Sequence, residues 1–159
     1  MGIEIERKWL VSLEDIPFDK STYPHRHLEQ YYISTDPVLR IRREDNDYYL
    51  TYKGKGRLSR TEYEIPVDAY AFKKLMNRAV GRVIVKDRYD IPLTDQMLTV
   101  QVDIFGSYHE GLIYAEVEFD SEGAASAFAA PQWFGKEVTD IPGYSNAELC
   151  LCGSLSAVR

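Results

Sequence analysis

Ile3-Glu4-Ile5-Glu6-Arg7-Lys8-Trp9-Leu10-Val11 is the stretch from which the fold can be read. In an extended strand successive side chains alternate between faces, so Glu4, Glu6 and Lys8 share one face. Ile3, Ile5, Trp9 and Val11 share the other, with Arg7 the one charge among them. Far along the chain, Tyr114-Ala115-Glu116-Val117-Glu118-Phe119 repeats the arrangement, with Glu116 and Glu118 together and Val117 and Phe119 opposite. The segments between follow suit. Arg40 and Arg42 oppose Leu39 and Ile41, Thr51 and Lys53 oppose Leu50 and Tyr52, and Glu62 and Glu64 oppose Tyr63 and Ile65. Lys86 and Arg88 oppose Val85 and Tyr89, where Asp87 interrupts the apolar side, and Asp103 opposes Val102 and Ile104.

Turn signals between these runs predict strands near 3–11, 27–34, 38–45, 48–54, 60–66, 82–91, 97–105 and 112–119. Asp45-Asn46-Asp47 and Lys55-Gly56 read as hairpin turns. Helical spacing of Tyr70, Phe72, Leu75, Met76 and Ala79 predicts a helix over 68–79 with Asp68 as its N-cap. A second helix is expected over 121–130, stopped by Pro131. A third is expected over 145–152, with Ser145 and Glu148 forming a capping box and Gly153 its stop. Eight strands in antiparallel series with few helices favour a mostly β (α+β) fold. Its expected form is a closed eight-stranded antiparallel barrel enclosing a charged tunnel, a single domain over 1–159.

An antiparallel sheet with one apolar and one wet face would also alternate in this way. The grouping argues for an interior instead: the charged faces carry Glu, Arg and Lys in pairs and almost none of the Ser, Thr or Asn of an ordinary solvated face. Collected inward, Glu4, Glu6, Glu62, Glu64, Asp103, Glu116 and Glu118 nearly balance Lys8, Arg40, Arg42, Lys53, Lys86 and Arg88. Burying so many charges bare would cost several kcal/mol per ion, so the lumen must hold water, metal or ligand. Arginine pairs suit bidentate phosphate contacts, and lysines act as point charges. Paired glutamates suit Mg²⁺ or Mn²⁺, hard cations that take oxygen ligands and keep waters.

Composition narrows the partners. Of 159 residues 45% are hydrophobic and 28% charged, a globular composition, and the formal charge of −6 disfavours broad binding to nucleic acid or anionic membrane. No apolar run approaches the roughly 20 residues of a membrane span, so the expectation is a soluble cytoplasmic protein with no nucleic-acid or membrane partner. Cys150 and Cys152 are the only cysteines and read as small thiols rather than as metal ligands or a disulfide framework. His25, His27 and His109 lack a third ligand at a recognisable spacing.

The opening Glu4-Ile5-Glu6-Arg7-Lys8 resembles the E-x-E-x-K signature of the CYTH domain, the triphosphate tunnel metalloenzyme family. That short motif alone would be weak. It is followed in order by Leu39-Arg40-Ile41-Arg42, Leu50-Thr51-Tyr52-Lys53, Thr61-Glu62-Tyr63-Glu64, Val85-Lys86-Asp87-Arg88, Val102-Asp103 and Ala115-Glu116-Val117-Glu118. Gln30-Tyr31-Tyr32, Glu137-Val138-Thr139 and Tyr144-Ser145-Asn146-Ala147 extend the resemblance over nearly the whole chain. One departure is Trp9, where many members carry Phe; on the outer face it bears on packing rather than chemistry. The resemblance implies a tunnel that binds a triphosphate through basic residues and Mg²⁺ or Mn²⁺ through acidic ones, and short bacterial members hydrolyse inorganic triphosphate. On that reading Glu4, Glu6, Glu116 and Glu118 would hold metal. Lys8, Arg40, Arg42, Lys53, Lys86, Arg88 and Tyr32 would contact phosphate, and Lys8, Lys86 and Glu64 would take part in catalysis. Glu62 and Asp103 would either bind metal or orient neighbouring cations. Tyr31, Arg43 and Asp87 would face outward, and the last helix would close one mouth or pack on the wall. The expected partner is inorganic triphosphate or another triphosphate-bearing small molecule, and a homodimer is compatible with the chain. The alternatives are an adenylate cyclase, a thiamine or nucleoside triphosphatase, and a non-catalytic polyphosphate-binding module.

Overall fold

Strand alternation closes into a barrel in the computed structural model, which describes residues 2–152. The strands are β1 Gly2–Leu10, β2 His25–Thr35, β3 Val38–Glu44, β4 Asp47–Lys53, β5 Ser59–Val67, β6 Val80–Leu93, β7 Leu98–Gly106 and β8 Ile113–Glu118. They pair antiparallel in the cyclic order β1-β5-β4-β3-β2-β6-β7-β8, with β8 returning to β1. Three helices lie outside or across the barrel: α1 Ala69–Met76, α2 Glu122–Ala127 and α3 Asn146–Leu151. Gly153, expected to stop the last helix, lies outside the described residues.

The hydrophobic core sits outside the wall, because the period of two sends charges inward and apolar side chains outward. Trp9, Val11, Ile91, Val100, Val102, Ala115 and Val117 meet Ala125, Phe128 and Phe134 from α2 and the segment after it. Phe72 of α1 packs on Tyr31 and Tyr48, so Tyr31 faces outward as expected. A second apolar cluster, including Ile84, Phe105, Tyr114, Tyr144, Leu149 and Cys150, seals the barrel end under α3.

The helices are shorter than their sequence signals. Asp68 and Ser145 cap α1 and α3 as predicted, their side chains accepting from the backbone N–H groups of Ala71 and Glu148. After Met76, residues 77–79 tighten into i→i+3 hydrogen bonds to the carbonyls of Leu75 and Met76. α2 ends at Ala127 rather than near Pro131, because Phe128 turns extended and Arg7 captures the carbonyls of Ala125 and Phe128. β2 starts two residues before its predicted position and β6 runs from Val80 to Leu93.

One strand pairing is split. β1 pairs with β5 only over Gly2–Ile5 and with β8 over Glu6–Leu10. The edge that β5 vacates is taken by residues 135–139. There Gly135 and Val138 N–H donate to the carbonyls of Leu10 and Lys8, and Leu10 N–H donates to Lys136 O, each at 2.8 Å. Gly135 permits this approach, since a Cβ there would lie 2.6 Å from Leu10 O. Gly81 does the same for α3: its φ is +68° and a Cβ would meet the Cys150 carbonyl at 2.4 Å.

Candidate active site

The inward faces form a polar tunnel of about 220 Å³. Glu4, Glu6 and Lys8 come from β1, Tyr32 from β2, Arg40 and Arg42 from β3, Lys53 from β4, and Glu62 and Glu64 from β5. Lys86 and Arg88 come from β6, and Glu116 and Glu118 from β8. Asp103 of β7 is fully buried behind this lining, both oxygens occupied by Arg88 at 2.7 and 2.8 Å and one also by Lys86 at 2.7 Å. Arg43 and Asp87 lie outside, Arg43 on the Asp45 carbonyl and Asp87 on His27.

The lining is divided by partner. Arg40 and Arg42 reach Glu64 at 3.4 Å each, while Thr51 binds both Arg40 and Glu64. Lys53 lies 3.1 Å from both oxygens of Glu4 and 3.4 Å from Glu62, and Arg60 reaches Glu4 at 3.4 Å. Burial would raise the Glu4 pKa, but Lys53 and Arg60 prevail and bring it down to about 2. Glu116 is 3% exposed and faces Lys8 at 3.7 Å and Arg88 at 3.4 Å. Against its burial, Lys8, Lys86 and Arg88 hold it well below the usual carboxylate range. Glu6 goes the other way: burial, then Glu116 and Glu4, push its pKa up to about 8. It therefore keeps its proton at neutral pH. Burial also pulls Lys86 down to about 8, with Asp103 opposing. Tyr32 is buried in the tunnel, its hydroxyl 3.2 Å from Gln30 Oε1.

Several buried polar atoms lack partners. Among the described residues the Nε groups of Arg26, Arg40 and Arg42 find no acceptor, and Glu116 Oε1 accepts no hydrogen bond, with Lys8 Nζ 3.7 Å from it. Such groups are costly to bury, and each is held inside the barrel wall by the ion pairs its neighbouring atoms make. Among the described residues no three His, Cys, Asp or Glu side chains converge as a ready metal cage. Mg²⁺ does not require one, since it commonly takes one or two carboxylates and completes its shell with water and substrate phosphate. The all-oxygen set of Glu4, Glu6, Glu116 and Glu118, gathered on one tunnel wall, suits such a cation.

Residues not singled out from the sequence also line the tunnel: Arg26, Gln30, Arg60, Gln101 and Asn146. Arg60 shares strand parity with Glu62 and Glu64, a signal available in the sequence. Arg26 falls in β2 once that strand starts at His25. Asn146 Oδ1 accepts from Lys86 at 3.1 Å, a contact set by how α3 docks. The last helix thus packs on the wall and brings Asn146 and Ala147 into the tunnel lining. Its Glu148 carboxylate departs from a full capping box, turning to Gly143 N–H and Arg57 instead of the Ser145 N–H. The split beside β1 opens a vestibule of about 900 Å³ that joins the tunnel at Glu6 and Lys8.

Residues 2–148 match the family model described as CYTH domain. The chain is similar to the inorganic triphosphatase of Nitrosomonas europaea, 41% identical over 151 residues that cover 93% of this chain and 97% of that one. The inorganic triphosphatase of Acetivibrio thermocellus is 35% identical over 153 residues, 94% of each. A crystal structure of an inorganic triphosphatase matches with a TM-score of 0.69 at 38% identity, covering 95% of this chain and 99% of that one.

Proposed function

The chain belongs to the CYTH domain family, and we propose that it hydrolyses inorganic triphosphate to pyrophosphate and orthophosphate with Mg²⁺ or Mn²⁺. The observation that carries this reading is the gathering of Arg40, Arg42, Lys53 and Arg88 opposite Glu4, Glu6, Glu116 and Glu118 around one small polar tunnel. Phosphoryl transfer needs positioning and charge stabilisation more than covalent chemistry, and the lining is built of groups that supply both.

Arg40 and Arg42 take phosphate oxygens, with Lys53 and Arg88 completing the clamp. Tyr32 closes on the same phosphates with its hydroxyl. Lys8 and Lys86 stabilise charge at the phosphate under attack. Glu4, Glu6, Glu116 and Glu118 hold the cation, which when bound neutralises phosphate charge and acidifies neighbouring water. Asp103, shut behind Arg88 and Lys86 with no oxygen on the lumen, orients those two cations rather than binding metal. Glu62 does the same for Lys53. Glu64 is held by Arg40, Arg42 and Thr51; phosphate drawing the two arginines away frees its carboxylate to accept the proton of the attacking water.

Phosphorus NMR of the reaction tests this assignment. Wild-type protein with Mg²⁺ is expected to give pyrophosphate and orthophosphate in equal amounts. Glu116→Gln, which keeps the shape and loses the charge, is expected to lower kcat by roughly a thousandfold, about 4 kcal/mol of barrier. Wild-type turnover in the Gln variant contradicts the assignment. A second reading, an organic triphosphate, is favoured by the vestibule, where Tyr52 and basic Lys55 and Arg57 border the tunnel mouth.

A further inference from the structure

Both lysines assigned to the reacting phosphate rest on aromatic rings. Lys8 Nζ lies 4.8 Å from the ring centroid of Tyr114, and Lys86 Nζ lies 5.3 Å from that of Phe105. The two rings pack edge to face on each other, 5.1 Å apart at 75°. Strand register brings them there. Lys86 stands directly opposite Phe105 across β6 and β7. Lys8 stands opposite Glu116 across β1 and β8, so Tyr114 is its diagonal neighbour, within reach of a long side chain. The Tyr114 hydroxyl donates to the Tyr144 carbonyl at 2.8 Å, and Lys8 Nζ donates to the same carbonyl at 3.4 Å. One tyrosine thus offers Lys8 its ring face and also fixes the oxygen that Lys8 binds.

We propose that the Phe105–Tyr114 pair is a positioning platform that sets the separation and aim of the Lys8 and Lys86 ammonium groups. It rests on the triphosphatase reading for its catalytic consequence. The negative face of each ring attracts a cation, more strongly where water is scarce. Lysine has a flexible four-carbon stem and a compact charge. Asp103 and Asn146 hold Lys86, and Glu116 faces Lys8, from one side, and the ring faces bound each ammonium from another. A pair that merely filled space could be replaced by aliphatic side chains of similar volume. A platform cannot, because an aliphatic group has no quadrupole.

Steady-state kinetics of Tyr114→Leu, Phe105→Leu and the aromatic control Tyr114→Phe test the proposal. Each Leu variant is expected to lose about tenfold in kcat while KM stays within about twofold. Tyr114→Phe, which keeps the face and loses the anchor on Tyr144, should retain more activity than Tyr114→Leu. Folded Leu variants with unchanged kcat overturn the platform. Proton NMR of unmodified protein decides the matter even if those variants fail to fold. The ε-methylene protons of Lys8 and Lys86 should be shifted upfield by the rings relative to those of exposed Lys55 and Lys73. Equal shifts overturn the proposal. The NMR result does not depend on turnover, so a wild-type protein that leaves triphosphate intact would remove the functional reading without deciding this one.

Discussion

Glu6, proposed above as a cation ligand, holds a proton at neutral pH that cation binding there would displace. Its carboxyl titrates near pH 8 because burial and the charges of Glu116 and Glu4 oppose ionisation. The metal-binding form is the deprotonated one, so apparent Mg²⁺ affinity should tighten up to about tenfold per pH unit below 8 and level off above it. Calorimetry at pH 7 in buffers of different ionisation enthalpy should register about one proton released per cation bound; release near zero contradicts this account of Glu6. The same shift predicts a stability effect in EDTA. Between the ordinary pKa of 4.5 and about 8 the folded protein holds a proton that the unfolded chain has given up, so stability falls as pH rises through that window. Glu6→Gln removes the titration, and its Tm relative to wild type should therefore rise from pH 5 to pH 8. A Tm difference that stays flat would show that Glu6 ionises normally. At this scale strand parity made most of the lining legible in the sequence, and Arg60 was legible by the same rule. Arg26 was not, since its inclusion depends on where β2 begins.

Among the elements, the segment 135–139 replaces a missing strand edge. Arg7 ties it down: its guanidinium makes a bidentate pair with Glu137 at 2.7 and 2.8 Å and also holds the carbonyls of Ala125 and Phe128. Thr139 Oγ1 bridges from Glu137 to the Lys8 backbone N–H, so this outer network fixes the backbone under a lumen lysine. Arg7→Ala should cost about 2 kcal/mol, because several hydrogen bonds go but Glu137 remains about a third open to water and is partly screened. Thermal melts check this, and a Tm within a degree of wild type would contradict it. The eight strands were readable because a period of two is written in each. The segment 135–139 was not, because Lys136-Glu137-Val138-Thr139 is too short to show a period and its partner edge exists only after β1 splits. The single charge on the apolar face, Arg7, was the visible trace of it.

The whole molecule is a barrel turned inside out, with its apolar core between the wall and the helices and its charges in the lumen. The closed architecture followed from the ordered charged pairs along the chain. The vestibule did not, because it arises from the docking of α3 and the split of β1, neither of which has a local sequence pattern. A ligand that binds the folded lumen and not the unfolded chain is expected to raise stability. The most direct test of the central claim is phosphate release from matched amounts of inorganic triphosphate, ATP and thiamine triphosphate with Mg²⁺, Mn²⁺ or EDTA. The account predicts rapid release from inorganic triphosphate that needs either metal and stops in EDTA, with slower release from the organic substrates. Equal or faster release from an organic triphosphate, or release that persists in EDTA, would contradict it.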